Sequence, residues 1–313
     1  MAASGEAPVR RVGWAGLGAI GAPMAERVLA AGFELHVWNR SPAKAMGLVA
    51  AGAHLAPSPA ALAERVQLLC LCVTDDAAIE TLMFGPGGVA AAPHAGLLVA
   101  DHSTIHPLAT RRIAERARRE AGIEWVDAPV SGGPVGAREG SLAVFAGGDA
   151  AAVERARPVL MSFASRVTHL GATGSGQVGK ACNQMISFGT CAVLAEALHL
   201  AARLGLDVAR LPQAIEGGLA DSAVLRRYAP QMLGGELIGS SFNALKDLEI
   251  ALELGRSATA AMPMTGVLAS LHRLVVARGH HALGMAGPLR LYTDEPLVEL
   301  AAAHTAATGG NRP

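Results

Sequence analysis

Aromatic residues are scarce: Phe, Trp and Tyr make up 4% of the 313 residues. Stacking platforms for single-stranded nucleic acid are therefore not expected. Charge is also thin, at 17%, and its signs cancel, with 26 basic against 26 acidic residues. That leaves no electrostatic footprint for nucleic acid or an anionic membrane. No apolar run reaches the roughly 20 residues of a membrane span. The opening MAASGEAPVR lacks the charged-then-apolar order of a signal peptide, so a soluble, cytoplasmic chain is expected. The four cysteines, Cys70, Cys72, Cys182 and Cys191, show no C-x-x-C spacing. A disulfide framework or zinc site is not expected, and they read as small buried fillers. No His/Asp/Glu cluster has ligand spacing and His280-His281 reads as a surface loop, so no metal is expected.

What is abundant is small and apolar: 51% hydrophobic residues and 37 glycines, enough for two domains with sizeable cores. After a loose tail, Val12 to Ala15 reads as a strand, Pro23 to Ala31 as a helix ended by Gly32, and Phe33 to Trp38 as a second strand. Between the first strand and the helix lie Gly16, Leu17, Gly18, Ala19, Ile20 and Gly21. A lone G-x-G-x-x-G arises by chance in a glycine-rich chain, but in strand–turn–helix–strand context it is a dinucleotide fingerprint. Its glycines serve a tight turn, backbone approach to the pyrophosphate and close helix packing, with the phosphates at the helix N-terminus. The second strand ends in Asn39-Arg40-Ser41 rather than an acidic residue. An aspartate there would repel a 2′-phosphate, whereas Arg40 offers a fork of donors, Asn39 and Ser41 add neutral ones, and Lys44 follows one turn on. NADP(H) is favoured and NAD(H) is possible; the alternative for Arg40 is stacking on adenine or solvation.

Strands at Val66 to Val73 and Leu97 to Asp101, each followed by a polar break and a helix, continue a doubly wound sheet. Ligands in such sheets sit beyond the carboxyl ends of the strands, which nominates Val73, Thr74 and Thr104 as cofactor neighbours. Helix capping is the other reading of Thr104. A strand through Asp127 then turns at Pro129 into Ser131, Gly132 and Gly133, whose hydroxyl and successive amides suit a carboxylate or simply make a turn. Strands at Leu142 to Ala146 and Arg166 to Leu170 complete the sheet.

From Gly174-Ser175-Gly176 onward the chain reads as a long helix, about Val178 to Leu204, starting after a close backbone approach. Gly176, Lys180, Asn183 and Gln184 share one of its faces. Lys180 either snorkels to water, with Asn183 satisfying a neighbouring helix, or the polar group has a chemical use. Everything later is helical: Val208 to Ile215, Ser222 to Leu233, Leu245 to Thr259 and Val267 to Arg278. Lys246, at the start of one of these helices, reads from the residues alone as a surface ion-pair partner.

The motifs GLGAIGAPMA at 16–25, DAPVSGG at 127–133, GSGQVGKACNQ at 174–184 and KDL at 246–248 resemble those of the β-hydroxyacid dehydrogenases, in the family's order across nearly the whole chain. The resemblance implies that Lys180 is the catalytic acid/base, that Ser131, Gly132, Gly133 and Asn183 hold the substrate with it, and that Thr104 and Lys246 touch the cofactor. It thereby replaces the surface reading of Lys246. Asn183-Gln184 and AIEGGLADSAVL at 214–225 are similar to the tartronate semialdehyde reductase branch. Three positions depart from the pattern. Ile20 replaces a usual methionine; Gly239 replaces a phenylalanine, with Phe242 nearby; and His102 stands where an apolar residue is common.

The expected fold is an α/β N-terminal Rossmann doubly wound sheet over 1–172, with 1–9 a flexible tail, plus an all-α C-terminal domain over 173–303 for substrate and oligomerisation. A long interdomain helix joins them and 304–313 frays. The expected activity is hydride transfer between nicotinamide C4 and a small carboxylated aldehyde or hydroxy acid, of the tartronate semialdehyde or 3-hydroxyisobutyrate type. A homodimer or homotetramer is expected from apolar helix faces. The competing readings are an imine reductase, which usually lacks the lysine, and a non-catalytic dinucleotide-binding module.

Overall fold

In a computed structural model of the chain, residues 8–92, 96–234 and 236–307 are described; most of the tails expected to be loose, 1–7 and 308–313, lies outside them. Two compact units result, one ending at Lys180 and the next beginning at Ala181.

The first unit is built on nine strands: β1 Arg11–Ala15, β2 Glu34–Trp38, β3 His54–Leu55, β4 Leu68–Leu71, β5 Leu98–Asp101, β6 Glu124–Asp127, β7 Val130–Ser131, β8 Leu142–Gly147 and β9 Ala164–Gly171. Their order is β3-β2-β1-β4-β5-β6-β8-β7, with β9 also on β8. β1 to β6 are parallel to one another, β6 and β7 run antiparallel to β8, and β9 is parallel to β8. The 3-2-1-4-5-6 order of the first six is that of a dinucleotide-binding Rossmann sheet, with its switch point between β1 and β4.

Helices cover both faces, so the central strands are apolar throughout rather than alternating. In β4 all four residues are buried. Leu68 and Cys70 enter one core with Trp14, Met24 and Phe163; Leu69 and Leu71 enter the other with Ile79, Met83 and Ile113. The period-two alternation of a strand thus feeds two cores, and each such large side chain contributes roughly 1.5–3 kcal/mol on burial. His102 belongs to this packing. It is 3% exposed, stacks on Trp14 at 5.5 Å and meets Phe163 edge-on at 5.3 Å. Its Nδ1 lies 2.8 Å from the Ala128 carbonyl, and burial pushes its pKa down to about 4. It therefore sits as a neutral ring in an apolar position.

Several elements are new relative to the sequence reading. Helix Gly133–Glu139 opens directly on the Ser-Gly-Gly turn, and helix Ala150–Leu160, capped by Asp149, carries Pro158 inside it. The proline hides the helix from a pattern search, because proline ordinarily ends one. Strand β3 is only two residues long.

The long helix spans Ser175–Arg203, starting three residues before the expected Val178. By length and composition alone it could cross a bilayer, an 18-residue window of it having a mean hydropathy of 1.5, which corrects the expectation that no segment is long and apolar enough. Its first turns lie instead on the sheet: a Cβ at Gly176 would fall on the Phe145 carbonyl oxygen, and one at Gly179 on the Leu170 side chain. Its later turns supply Cys191, Leu194, Ala195, Leu198 and Ala202 to a helical core.

The second unit is helical as expected, with helices Leu211–Ile215, Ala223–Gly234, Ser241–Ser257, Pro263–Ala277 and Leu297–Ala307 and short 3-10 turns at Val208–Arg210 and Gly284–Leu291. Three expectations are corrected. The C-terminal fraying expected from 304 does not begin there, since helix Leu297–Ala307 is formed. Cys182 is exposed and Cys72 only partly buried, while Cys70 and Cys191 are buried; all four are free thiols. The helix bearing Lys246 starts at Ser241, capped by Ser240 at Asn243 N–H, 3.2 Å.

Gly239 also finds its reason here. Its φ is +151°, and a Cβ there would meet the Gly284 Cα at 2.8 Å. It pairs with Leu283, and its N–H donates to the Ala282 carbonyl at 2.9 Å. Two backbones cross where a phenylalanine would not fit. Phe242 packs instead on His281, ring centroids 4.8 Å apart.

Candidate active site

At the β1–β4 switch point the glycine loop is shaped by backbone contact. Gly16 has φ +101°, and a Cβ on it would collide with the Cys72 carbonyl; a Cβ on Gly21 would collide with the Gly16 carbonyl. Gly18, by contrast, has nothing within 4 Å of its Cβ position and is exposed. Two glycines are thus required by the fold, and the third leaves an open place where a ligand can come against the main chain. Helix Gly21–Ala30 starts immediately, with Ile20 as its N-cap and Ala22 N–H donating to Gly18 O at 3.0 Å. Its first amide groups give the loop an anion-favouring end. These features fit a dinucleotide pyrophosphate.

Asn39 takes part in holding this loop. Its Oδ1 accepts from Leu17 N–H at 3.0 Å and its Nδ2 donates to the Ser41 carbonyl at 2.9 Å. The carboxamide therefore ties the end of β2 to the glycine loop, a positioning task that the sequence reading did not foresee. Arg40, Ser41 and Lys44 are exposed beside it.

From the loop a chain of contacts runs to the long helix. Val73 N–H donates to Ser103 Oγ at 3.0 Å, and the Ser103 carbonyl accepts from Gln177 Nε2 at 2.8 Å. Gln177 Oε1 accepts from Ile105 N–H at 3.3 Å, and Ser103 N–H donates to Asp101 Oδ1 at 2.9 Å. Asp127, at the carboxyl end of β6, accepts from Gly174 N–H at 2.7 Å and Gln177 N–H at 3.0 Å. A buried carboxylate thus receives the helix's first amides, where the helix dipole favours negative charge. Burial pushes the Asp127 carboxyl above the usual carboxylate range, opposed by these amide hydrogen bonds.

Lys180 lies four residues after Gly176, on the helix face that Asp127 anchors, and is 7% exposed. Lysine is rarely buried without a partner. Asn183 follows on the same helix, and its Nδ2 donates to Gln184 Oε1 at 3.1 Å. Gln184 Nε2 donates to Asp247 Oδ2 at 2.6 Å, and Lys246 Nζ stands 3.6 Å from Asp247 Oδ1. The second unit therefore assembles Asn183, Gln184, Asp247 and Lys246 into one polar chain, and Lys246 has the acidic neighbour that its residues alone suggested.

The remaining candidates fall at strand ends of the first unit. Ser131 closes β7, Gly132 (φ +130°) is the N-cap of helix Gly133–Glu139, and Gly133 has φ +61°. Positive φ at both positions is a conformation that glycine adopts without steric cost. Thr104 does not cap helix Pro107–Ala121: His106 does, accepting from Leu108 N–H at 3.1 Å. Thr74 is exposed at the end of β4, and its hydroxyl donates to Asp75 at 2.9 Å.

Sequence reasoning missed Ser103, Gln177 and Asp127 as positioning residues. The signal for Asp127 was its place at a strand end immediately before a proline turn. Gln177 gave none, because its partners lie 72 and 74 residues away. A cluster of Glu34, His36 and His54 at the sheet edge was also missed.

Two family models match. The NAD-binding domain of 6-phosphogluconate dehydrogenase matches residues 11–171, and the model described as NAD-binding of NADP-dependent 3-hydroxyisobutyrate dehydrogenase matches 174–292. The chain is 34% identical to a 2-hydroxy-3-oxopropionate reductase of Escherichia coli (strain K12), over 86% of this chain and 92% of that protein. Among solved structures it is similar to a 3-hydroxyisobutyrate dehydrogenase from Salmonella typhimurium, with a TM-score of 0.82 and 26% identity over 90% of this chain and 99% of that one. Psf3, solved in complex with NADP+ and 2-OPP, gives a TM-score of 0.82 and 27% identity over 90% of this chain and all of that one. Fold, glycine loop and both halves of the sequence agree, and the chain belongs to the β-hydroxyacid dehydrogenase family of oxidoreductases.

Proposed function

We propose that this protein is an NADP-preferring oxidoreductase that transfers hydride between nicotinamide C4 and a small carboxylated aldehyde or hydroxy acid, of the tartronate semialdehyde or 3-hydroxyisobutyrate type, with Lys180 as general acid/base. The observation that carries the reading is the buried Lys180 on a helix whose start is fixed by Asp127 and Gln177. When bound, the dinucleotide supplies or accepts hydride at nicotinamide C4.

The chain's own residues have separable tasks. The loop Gly16, Leu17, Gly18, Ala19, Ile20 and Gly21 takes the pyrophosphate, its Leu17 amide being held by Asn39, with Val73, Thr74 and Thr104 at neighbouring strand ends. Arg40, with Ser41 and Lys44, takes the 2′-phosphate; a charge-assisted hydrogen bond is worth roughly 1.5–3 kcal/mol, enough to favour NADP(H) over NAD(H) by about ten- to a hundredfold. Amides and hydroxyl at Ser131, Gly132 and Gly133 receive the substrate carboxylate. Lys180, as ammonium, gives a proton to the alkoxide oxygen that develops as the carbonyl is reduced, and as amine takes it back in the reverse direction. Asn183 orients the substrate. Lys246 is assigned to the cofactor on the family motif in which it stands.

The test is oxidation of NADPH and NADH with tartronate semialdehyde, methylmalonate semialdehyde, succinate semialdehyde and glyoxylate, run beside Lys180→Ala. Turnover with at least one, faster with NADPH and lowered about a hundredfold or more in the variant, is expected. Undiminished activity in Lys180→Ala would show that another group is the acid and redirect the search to imine reduction.

A further inference from the structure

Glu34 and His36 are two residues apart on β2, so their side chains leave the same face of the sheet. His54 on β3 stands opposite His36 in the parallel register. The strands thus bring two imidazoles and a carboxylate to one spot. His36 Nε2 is 2.8 Å from Glu34 Oε1, the two imidazole centroids are 4.9 Å apart and inclined by 35°, and one ligand atom from each of the three residues lies within 4.8 Å of the other two. His36 is 6% exposed, whereas Glu34 and His54 are exposed. A buried imidazole is flanked by two exposed side chains.

We propose that Glu34, His36 and His54 form a three-ligand site for a borderline divalent cation, Zn2+ or a similar imidazole-preferring ion, with a fourth position open to water. Ligand bonds of about 2.0–2.1 Å at a tetrahedral angle place donor atoms about 3.3 Å apart. The Glu34–His36 pair need only open by about half an ångström, and His54 draw in, both from the solvent side. Two imidazoles select against Mg2+ and Ca2+, which take oxygen ligands. Coordination through Nε2 leaves the ring proton on His36 Nδ1, which has no hydrogen-bond partner among the described residues, so the ring is held by its burial and not by the outer hydrogen bond usual for a ligating imidazole. The neighbouring cation, Arg11, is directed elsewhere, its Nε donating to the Arg65 carbonyl at 2.8 Å. His36 lies three residues before Asn39, about 10 Å along the strand. An ion here would clamp the two-residue β3 to β2, away from the dinucleotide crevice, and acts on the fold rather than on hydride transfer.

The experiment is calorimetric titration of the full chain with ZnCl2, beside His54→Ala and Glu34→Gln, both at exposed positions, and with Cys182→Ser and His281→Ala as controls for other ligands. One ion per chain is expected, with affinity weakened about tenfold or more in His54→Ala and in Glu34→Gln and retained in the two controls. Zinc is also expected to raise the thermal midpoint of the native chain and not that of His54→Ala. Affinity unchanged in His54→Ala and Glu34→Gln, affinity lost in a control, or no saturable binding at about a hundredfold molar excess would each overturn the site.

Discussion

A histidine buried against tryptophan and phenylalanine makes a definite statement about pH. In the unfolded chain His102 titrates near 6.5; in the fold burial holds it near 4. Between these values the unfolded state binds more protons, so the stability associated with the neutral ring is present above about pH 6.5 and is lost as pH falls toward 4. The slope is at most about 1.4 kcal/mol per pH unit for one histidine. His272, edge-on to Phe188 at 5.2 Å and likewise pushed down to about 4 by burial, does the same in the second unit. Urea unfolding at pH 7 and pH 5 tests this. The stability lost between the two pH values should be smaller in His102→Met than in the native chain by about 1–2 kcal/mol. Equal losses would show that the ring is not held neutral. The prediction could not have been read from the sequence, where His102 is only a polar residue at an apolar position; its partners Trp14 and Phe163 lie far along the chain in both directions.

The long helix is where sequence and structure can be weighed against each other. Its existence, its glycine-marked approach and the shared face of Lys180, Asn183 and Gln184 follow from helical spacing alone. So do the β1–turn–helix–β2 unit and the strand ends that frame the crevice, because short apolar runs closed by polar breaks are local signals. What spacing does not carry is attachment. Asp127 lies 47 residues from Gly174, and its hydrogen bond to that amide is a product of sheet order. The helix at Ala150–Leu160 and the two-residue β3 were missed for local reasons, an internal proline and a strand too short to alternate. Attachment is also testable. Asp127→Ala removes a buried acceptor from the amides of Gly174, just before the helix, and Gln177, in its first turn, which should cost about 1–3 kcal/mol of stability. The milder Asp127→Asn keeps one acceptor and the side-chain shape. If the proposed reduction is correct, Asp127→Asn should lower kcat about tenfold or more while leaving the KM for NADPH close to native, since the glycine loop is untouched. A fall in stability with unchanged kcat would make Asp127 an anchor of the fold alone.

At the level of the whole molecule, apolar side chains remain on the outside of the second unit's helices in an ordered way. Ile186, Val193 and Leu200, spaced by seven, are 72%, 59% and 60% exposed along the long helix, and Leu204 continues the line at 72%. On helix Pro263–Ala277, Met264, Val267 and Leu274 are exposed at three- and seven-residue intervals. Spacing by seven keeps residues on one side of a helix and is the pattern by which helices pack against each other. Scattered exposed leucines need no explanation, but two apolar stripes on one small helical unit do. They are the physical basis for proposing a homodimer or homotetramer, with like faces meeting across a symmetry axis. Such a face, once paired, resembles a core cut in half, and a charge placed in it is costly. Light scattering on the purified chain is therefore expected to give the mass of a dimer or tetramer at micromolar concentration. The double substitution Ile186→Glu, Val193→Glu should shift it toward monomer while the far-ultraviolet circular dichroism stays native, because neither side chain is part of the unit's own core. A monomeric native chain, or an assembly indifferent to the double substitution, would mean that these stripes meet something other than a second copy.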